Sequence, residues 1–343
     1  MLSASAVDAL FAPLAGFNKF LVAVSGGPDS TALLLTASDW AKRRSDASLV
    51  VATVDHGLRP ESAAECSAVA ALSERLGLHC HVLRWEGEKP ATRLQERARE
   101  ARLHLLLSCA RRVGADVLLL AHHADDQAET VLFRLARGSG LSGLGAMAAK
   151  TMIDGLCVAR PLLGVPKSAL VAHCEAQGVA FVRDPSNADP RFARARLKPL
   201  IAALAKEGLG AAALGRFARR ARRADEALER KTDEAEARLV GAGIVDGRAL
   251  IGEPEEIALR LLIRQALRVS GRARQAISLA AMERLEARLR EALTEGEPFA
   301  ANVAGAEFRA RPDGRLTIAG ERPRRTRRTR ARVGDDASPA RPA

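Results

Sequence analysis

Short apolar runs alternate with amphipathic stretches over the first 185 residues of the chain. Five runs are typical of strands, and several are too continuously apolar for a sheet with one face in water. They lie at residues 20–24, 49–54, 79–83, 117–121 and 157–159. The stretches between them that end at a glycine predict helices over 61–76, 92–113, 126–137 and 167–177. This alternation predicts an α/β domain with a doubly wound, Rossmann-like parallel sheet and right-handed crossovers.

From about residue 200 the pattern becomes helical and rich in arginine. It predicts a long charged helix over 216–238 and further helices over 254–269 and 278–293. Alternating segments over 299–319 predict a small β unit with Asp313-Gly314 as its turn. The chain is therefore expected to divide into domains at 1–205 and 206–320, the second being smaller and mainly helical. Residues 321–343 are expected to form a disordered tail, since this stretch is rich in arginine and has almost nothing to bury.

The positive charge of the chain is unevenly distributed. Its 343 residues carry a net charge of +12, yet residues 1–190 contain 20 basic and 20 acidic side chains. Residues 191–343 contain 33 basic and 21 acidic side chains, so all the excess lies there. Basic surfaces attract phosphate backbones, which suggests a neutral catalytic half and a half that faces nucleic acid. A codon bias that favours dispersed arginines is the alternative explanation.

The cysteines and the N-terminal segment indicate in which cellular compartment the protein should lie. The five cysteines form no C-x-x-C pair, which argues against a disulfide framework, a zinc ribbon or a cysteine-ligated cluster. The N-terminus lacks a basic segment and carries Asp8 within its apolar stretch, so we expect no signal peptide. No run approaches the roughly 20 apolar residues of a membrane span. We therefore expect a soluble cytoplasmic protein.

Three polar motifs follow predicted strands. "SGGPDS" (25–30) follows the first, "DHGLR" (55–59) the second, and "HHADDQAET" (122–130) the fourth. In parallel sheets the carboxyl ends of the strands meet at one edge, where ligands bind, so the motifs should converge on one crevice.

The first motif predicts a phosphate-binding loop. A glycine-rich loop between a strand and a helix presents backbone N–H groups and the positive end of a helix dipole. It is not a Walker A motif, which requires a lysine, and it is not G-x-G-x-x-G. A plain Gly-Pro turn capped by Asp29 or Ser30 is the alternative, but it does not account for the whole six-residue motif.

"SGGPDS" resembles the PP-loop of ATP pyrophosphatases, S-G-G-x-D-S. Members of that group cleave ATP between its α and β phosphates and transfer AMP to an oxygen of the substrate. Within the group, "HHADDQAETVLFRLARGSG" (122–140) is similar to a segment of the tRNA(Ile)-lysidine synthetases. "VDHGLR" (54–59), "ARPLL" (159–163) and "DPSNADPRFARARLKP" (184–199) match further segments of that family in order. The resemblance covers nearly all of residues 20–200.

The resemblance implies an activity and its partners. Members of the family adenylate C2 of the wobble cytidine of a tRNA(Ile) with a CAU anticodon, and the ε-amine of L-lysine then displaces AMP. The modified anticodon reads AUA instead of AUG. Residues 1–205 would form the PP-loop adenylation domain and 206–320 the tRNA-binding domain. ATP and Mg²⁺ would be required, and a homodimer is possible.

The resemblance and the chemistry of the residues together assign candidate roles. The ATP-binding candidates are Ser25, Gly26, Gly27, Pro28, Asp29, Ser30, Asp55 and His56. The catalytic candidates are Asp29, His123 and Asp126. The lysine-binding candidates are Asp126 and Glu129, with Arg194 or Arg196 at the carboxylate. Asp29 is also the candidate ligand for Mg²⁺, which would neutralise charge that develops on pyrophosphate.

Several of these residues have a plainer interpretation. Asp125 and Asp126 could be acids that favour the start of a helix, and His56 could be a buried histidine without a ligand. His122 and His123 could suggest zinc, but no third ligand spacing supports a metal there. Arg97, Arg99 and Arg102 match a family segment, and a solvated helix face would look the same.

Two other functions compete with lysidine synthesis. A PP-loop tRNA thiolase shares the loop and a segment like 122–130, but such enzymes generally need paired cysteines, which this sequence lacks. A nucleotide-binding regulatory domain of the universal-stress type, fused to a basic RNA-binding module, would have little use for Asp29 together with Asp125, Asp126 and Glu129.

Overall fold

A computed structural model of the chain describes residues 1–58, 60–87, 89, 92, 94–182, 193–273 and 277–321. It divides into two compact units, Met1–Glu226 and Ala227–Ala343. The sequence placed a boundary after residue 205 instead. The first unit extends further because Leu214 and Ala218 belong to the same buried cluster as Ala128 and Val131. Apart from Glu321, the predicted tail lies outside the described residues.

The first unit contains a six-stranded sheet. Its strands are β1 (Lys19–Ala23), β2 (Ser48–Asp55), β3 (His79–Arg84), β4 (Val117–Leu119), β5 (Lys150–Ile153) and β6 (Leu156–Ala159). Their order is β3-β2-β1-β4-β6-β5, and every pairing is parallel except that of β5 with β6. The predicted doubly wound parallel sheet is therefore confirmed. The antiparallel β5 was not predicted, because this short edge strand is mostly exposed and lacks a continuous apolar run.

Helices of the first unit cover both faces of this sheet. The helices of the unit are α1 (Ala4–Phe11), α2 (Pro28–Lys42), α3 (Ser62–Arg75), α4 (Leu94–Arg112), α5 (Ala124–Leu135), α6 (Leu141–Leu144), α7 (Lys167–Ala176), α8 (Ala193–Lys206) and the first part of α9 (Ala211–Leu239). Of these, α8 and the first part of α9 pack against α5. One core lies beneath α1, α2, α3 and α7, and a second lies beneath α4. Phe20, Leu21 and Val22 of β1 are completely buried, as expected for a central strand with helices on both sides.

The pairing of the strands brings three chain segments to one edge of the sheet. Leu119 of β4 lies beside Val22 of β1 and beside Ala159 of β6. Because all three strands run the same way, the segments that follow them leave the sheet side by side. Neighbouring strands lie about 4.8 Å apart, so these segments start within about 10 Å of one another.

The second unit combines helices with an antiparallel sheet. It contains the second part of α9, then α10 (Gly247–Ile251), α11 (Glu255–Ser270) and α12 (Leu279–Glu295). Its five strands are β7 (Val240–Gly241), β8 (Ile244–Asp246), β9 (Phe299–Val303), β10 (Ala306–Ala310) and β11 (Arg315–Gly320), in the order β7-β8-β11-β10-β9. The sequence predicted only a small β unit over 299–319. β7 and β8 are too short to carry a pattern of alternation.

Ion pairs join α9 to α11 within this unit. Arg264 lies 2.6 Å from Glu229, 2.6 Å from Asp233 and 2.8 Å from Glu236. Three acidic residues of the predicted long helix are therefore paired with one arginine of α11, and the helix carries acidic as well as basic groups. Among the described residues, no helix is long and apolar enough to cross a membrane.

Candidate active site

The glycine-rich loop (residues 25–30) joins β1 to α2 and is held by its two serines. The Ser30 hydroxyl accepts a hydrogen bond from Ser25 N at 3.1 Å and donates one to the Gly27 carbonyl at 3.1 Å. Pro28 is the first residue of α2, where a missing N–H costs nothing. Gly26 has a backbone φ of +79°, a value that residues other than glycine rarely adopt. The first-turn N–H groups of α2 lack partners within the helix, which is the arrangement that anion sites use. Phosphate binding at this loop stays a prediction.

Asp29 points to two cationic side chains beside this loop. Its Oδ2 lies 3.3 Å from Lys167 Nζ and 3.4 Å from His123 Nε2. Burial tends to raise the pKa of Asp29, but His123 and Lys167 outweigh burial and lower it. Its second oxygen, Oδ1, is buried without a hydrogen-bond partner. A buried carboxylate oxygen with no donor is suited to accept a cation.

Asp29 could provide one of the ligands of a Mg²⁺ ion, and the other ligands would have to be waters or substrate phosphates. In the part of the chain described, no three acidic, histidine or cysteine side chains group as a metal cage. Mg²⁺ is usually held by one or two carboxylates together with waters and substrate phosphates, so a single ligand such as Asp29 is compatible with it.

His123 is a buried cation among three carboxylates. Its ring nitrogens lie 3.4 Å from Asp29, 3.6 Å from Asp125 and 3.5 Å from Asp126. Burial opposes the charged form, but the carboxylates outweigh burial and raise the pKa of His123 to about 9. The imidazole is therefore protonated at neutral pH and can donate hydrogen bonds from both nitrogens.

This charge predicts a pH-dependent contribution to stability. The pKa of His123 is about 9 in the folded state, against about 6.5 for a histidine side chain exposed to water. The contribution is thus fully present below about pH 6.5 and lost as the pH rises through about 9, and it amounts to about 3 kcal/mol. In buffer with a metal chelator, the unaltered protein should have the higher unfolding free energy at pH 6.5. The unfolding free energies of the unaltered protein and of His123→Asn should then converge as the pH rises to 9.5. Parallel curves for the unaltered protein and His123→Asn would contradict the assignment.

Asp125 and Asp126 both bind backbone groups at helix starts. Asp125 Oδ2 accepts a hydrogen bond of 2.8 Å from the backbone N–H of Lys167, the first residue of α7. Asp126 Oδ2 accepts one of 3.0 Å from the N–H of His123, the residue before α5. This explains why α5 begins at Ala124, two residues before the predicted start. The plainer interpretation, acids at a helix start, therefore applies to both, and a lysine-binding role for Asp126 stays a prediction.

The other lysine-binding candidates are only partly located. Glu129 lies on α5 three residues after Asp126, so the two share one face of the helix, and it is half-buried. Arg196 is exposed on α8, and the side chain of Arg194 lies outside the described residues. Their contact with lysine stays a prediction.

Asp55 and His56 shape the loop that follows β2. Asp55 is buried, and its Oδ1 accepts hydrogen bonds from Gly57 N at 2.9 Å and from the Ser62 hydroxyl at 2.6 Å. Those donors lower the pKa of Asp55. His56 Nδ1 accepts a hydrogen bond of 3.1 Å from Leu58 N. Both residues lie beside the glycine-rich loop because β2 pairs with β1, and their contact with ATP stays a prediction.

Lys167 is a residue of the site that was not among the sequence-based candidates. A signal for it did exist: Lys167 opens a predicted helix, where the positive end of the dipole disfavours a cation unless an anion lies near. The structure supplies that anion as Asp29, which is 138 residues away in the sequence. The glycine-rich loop lacks the lysine of a Walker A motif, and α7 brings one to the same place.

Three comparisons place this chain among known proteins. A family model described as a PP-loop domain matches residues 2–204. A tRNA(Ile)-lysidine synthase of Methylobacterium nodulans is 48% identical over 316 residues, which cover 89% of this chain and 91% of that relative. A tRNA(Ile)-lysidine synthase of Rhodopseudomonas palustris is 50% identical over 269 residues, 76% of this chain and 78% of the relative.

A solved structure supports the fold. The U34-tRNA thiolase NcsA from Methanococcus maripaludis, with its [4Fe-4S] cluster, superposes with a TM-score of 0.55 and covers 63% of this chain and 76% of its own. At 18% identity this likeness shows the fold alone, and it does not favour the thiolase alternative. The extent of identity to the synthases decides the family. This chain belongs to the tRNA(Ile)-lysidine synthase family of PP-loop enzymes.

Proposed function

We propose that this protein ligates L-lysine to C2 of the wobble cytidine in the CAU anticodon of tRNA(Ile), in the cytoplasm, with ATP as the energy source. The observation that carries the proposal is the convergence of Lys167, His123 and Asp29 beside a PP-loop in a chain of this family. That convergence provides a phosphate site, two cations for developing negative charge and a carboxylate that can hold a metal ion.

The first step transfers AMP to the tRNA. The O2 atom of cytidine attacks the α-phosphorus of ATP, and the bond from that phosphorus to the bridging oxygen of pyrophosphate breaks. Negative charge develops on the leaving pyrophosphate. The N–H groups at the start of α2 and the Lys167 ammonium can stabilise it, and the protonated His123 can donate a hydrogen bond to a phosphate oxygen.

Asp29 would hold Mg²⁺ through its unpartnered Oδ1. The ion would neutralise charge on the phosphates of ATP. His123 and Lys167 keep the Asp29 carboxylate ionised, because both lower its pKa.

The second step joins lysine to the activated base. The neutral ε-amine attacks C2 and the bond from C2 to the AMP oxygen breaks, so AMP leaves and the nitrogen loses a proton. Asp126 and Glu129, on one face of α5, are the proposed contacts to the ammonium group of lysine. The arginine that meets the lysine carboxylate would come from α8, where Arg194 and Arg196 lie.

Mass spectrometry of the tRNA tests the proposed function. A tRNA(Ile) with a CAU anticodon, incubated with protein, ATP, Mg²⁺ and lysine, should gain one lysine less one water at the wobble cytidine. AMP and pyrophosphate should form in equal amounts. Exchange of an oxygen for sulfur would favour the thiolase alternative, and consumption of ATP with unchanged tRNA would contradict the proposal.

Lys167→Met should slow pyrophosphate release by about tenfold, because one charge-assisted contact to the leaving group is lost. The effect should appear in the rate of AMP transfer at saturating tRNA and ATP. Lys42→Met is the matched control, since Lys42 is a surface lysine at the opposite end of α2 from Asp29. If both variants release pyrophosphate at the normal rate, Lys167 only neutralises Asp29.

A further inference from the structure

The loop at residues 145–149, after α6, receives side chains from three parts of the chain. The carbonyl of Ala146 accepts a hydrogen bond of 3.2 Å from Arg134, and the carbonyl of Met147 accepts one of 2.9 Å from Gln127. Both donors lie on α5. Two arginines from outside α5 also reach this loop. Arg222 of α9 donates to the carbonyls of Gly145 and Ala146, and Arg160, after β6, donates to that of Ala148 at 3.0 Å.

Within the described part of the chain, Arg160 and Arg222 meet neutral acceptors. Besides the loop carbonyls, Arg160 donates to the Thr151 hydroxyl at 3.2 Å, and its buried Nε has no partner. Among the described residues, no ion pair joins either guanidinium to a carboxylate. Arg160 and Arg222 both donate to carbonyls within residues 145–148, which brings the two guanidiniums to the same loop. Burial, followed by the charges of Arg99 and Arg222, lowers the pKa of Arg160. A pair of guanidiniums, those of Arg160 and Arg222, that meets only neutral acceptors among the described residues is suited to an anionic ligand.

The local backbone keeps Arg222 close to the loop. A Cβ added at Gly145 would lie 3.4 Å from the Cβ of Arg222, so the loop backbone passes close to α9. Ala146 has a φ of +51°, an uncommon conformation for a residue other than glycine. Hydrogen bonds to the carbonyls of Gly145 and Ala146 hold the Arg222 guanidinium at this loop.

Arg160 and the predicted ATP contacts lie on opposite sides of β1 in the sheet. Arg160 directly follows Ala159, which pairs with Leu119 of β4, and β4 lies between β6 and β1. The predicted ATP contacts at Asp55 and His56 follow β2, on the other side of β1. A polynucleotide that offers its base to the glycine-rich loop can therefore approach from the β6 side without crossing bound ATP.

We propose that Arg160 and Arg222 together bind one backbone phosphate of the tRNA strand beside the reacting cytidine. This inference rests on the proposed function and adds a substrate contact to it. The two guanidiniums are positioning residues, because they hold the strand and do not touch the reacting atoms. The loop carbonyls orient them, and the phosphate supplies a negative charge, which no ion pair among the described residues gives to either guanidinium.

The salt dependence of RNA binding tests this inference. The affinity of Arg222→Gln for a tRNA(Ile) anticodon stem-loop is measured between about 50 and 200 mM salt. Loss of one phosphate contact should lower the slope of log affinity against log salt by about 0.7 to 0.9. Affinity should fall by about tenfold at low salt, as for loss of one charge-assisted hydrogen bond. Arg160→Gln should behave alike.

A neighbouring arginine provides the matched control. Arg223 is exposed on the same helix and points about 100° away, so Arg223→Gln removes the same charge. It should retain the slope of the unaltered protein. Arg222→Lys should keep most of that slope, since an ammonium can still bind a phosphate. If Arg222 had only a structural role, the lysine and glutamine variants should have the same slope.

Two results would overturn the inference. One is an unchanged salt slope in Arg222→Gln protein that melts at the normal temperature. The other is a raised KM for lysine with normal RNA affinity, which would assign the pair to the carboxylate of the amino acid. Lysidine formation by the unaltered protein is followed in parallel, so its absence would count against the proposed function and not against phosphate binding.

Discussion

Asp29→Ala should lower the rate of pyrophosphate release by about a thousandfold and leave the affinity for tRNA near normal. Asp29 is the one acidic side chain on the glycine-rich loop, and its Oδ1 is a buried acceptor without a donor. Its other oxygen lies next to Lys167 and His123. Its removal would take away the proposed metal ligand and release both cations from their shared partner. The excess positive charge of the chain lies after residue 190, so tRNA binding should persist.

The matched control for this variant is Asp154→Asn. Asp154 is an aspartate in the turn between β5 and β6, with a φ of +47° that asparagine accepts readily. Pyrophosphate release is measured by a coupled assay with saturating tRNA, and tRNA binding by filter retention. Equal losses of release and of tRNA binding in Asp29→Ala would show that the phosphate site and the RNA surface are not separable.

Glu129→Ala should raise the lysine concentration required for half-maximal rate by roughly ten- to a hundredfold. Loss of one charge-assisted contact to an ammonium group has this magnitude. Because Glu129 lies on the half-buried face of α5 and not on the glycine-rich loop, pyrophosphate release that depends on tRNA and ATP should continue. Adenylated tRNA should then accumulate when lysine is limiting. The measurement is the KM for lysine, with mass analysis of the tRNA at each concentration.

Two comparisons sharpen this prediction. Asp126→Ala should be more severe, because Asp126 also accepts the hydrogen bond from His123 N at the start of α5. Glu74→Ala, which removes an exposed carboxylate from α3, should leave the lysine requirement unchanged. If Glu129→Ala stops pyrophosphate release as completely as Asp29→Ala does, the 122–130 segment belongs to the ATP site instead.

Local patterns in the sequence were sufficient to predict the parallel strands of the first sheet, the glycine-rich loop and the family. Continuous apolar runs such as 20–24 can be buried on both faces only in the middle of a covered sheet, and β1 is indeed buried there. The loop could be recognised because Gly26 needs a positive φ and Pro28 fits the first position of a helix. Such preferences depend on residues a few positions apart, so they can be recognised in the amino-acid sequence.

The tertiary structure alone decided which side chains meet and what charge they carry. Lys167 reaches Asp29 across 138 residues, and no local preference encodes that distance; it depends on the order of the strands and on where α7 packs. Burial lowers the pKa of His123, and three carboxylates outweigh burial and raise it. Asp125 and Asp126 are close to His123 in the sequence, whereas Asp29 is not. The arginine pair at 160 and 222 likewise depends on where the first part of α9 packs within the first unit, which extends to Glu226. A sequence pattern specifies the elements, whereas the packing of distant elements sets the distances that determine hydrogen bonds and protonation.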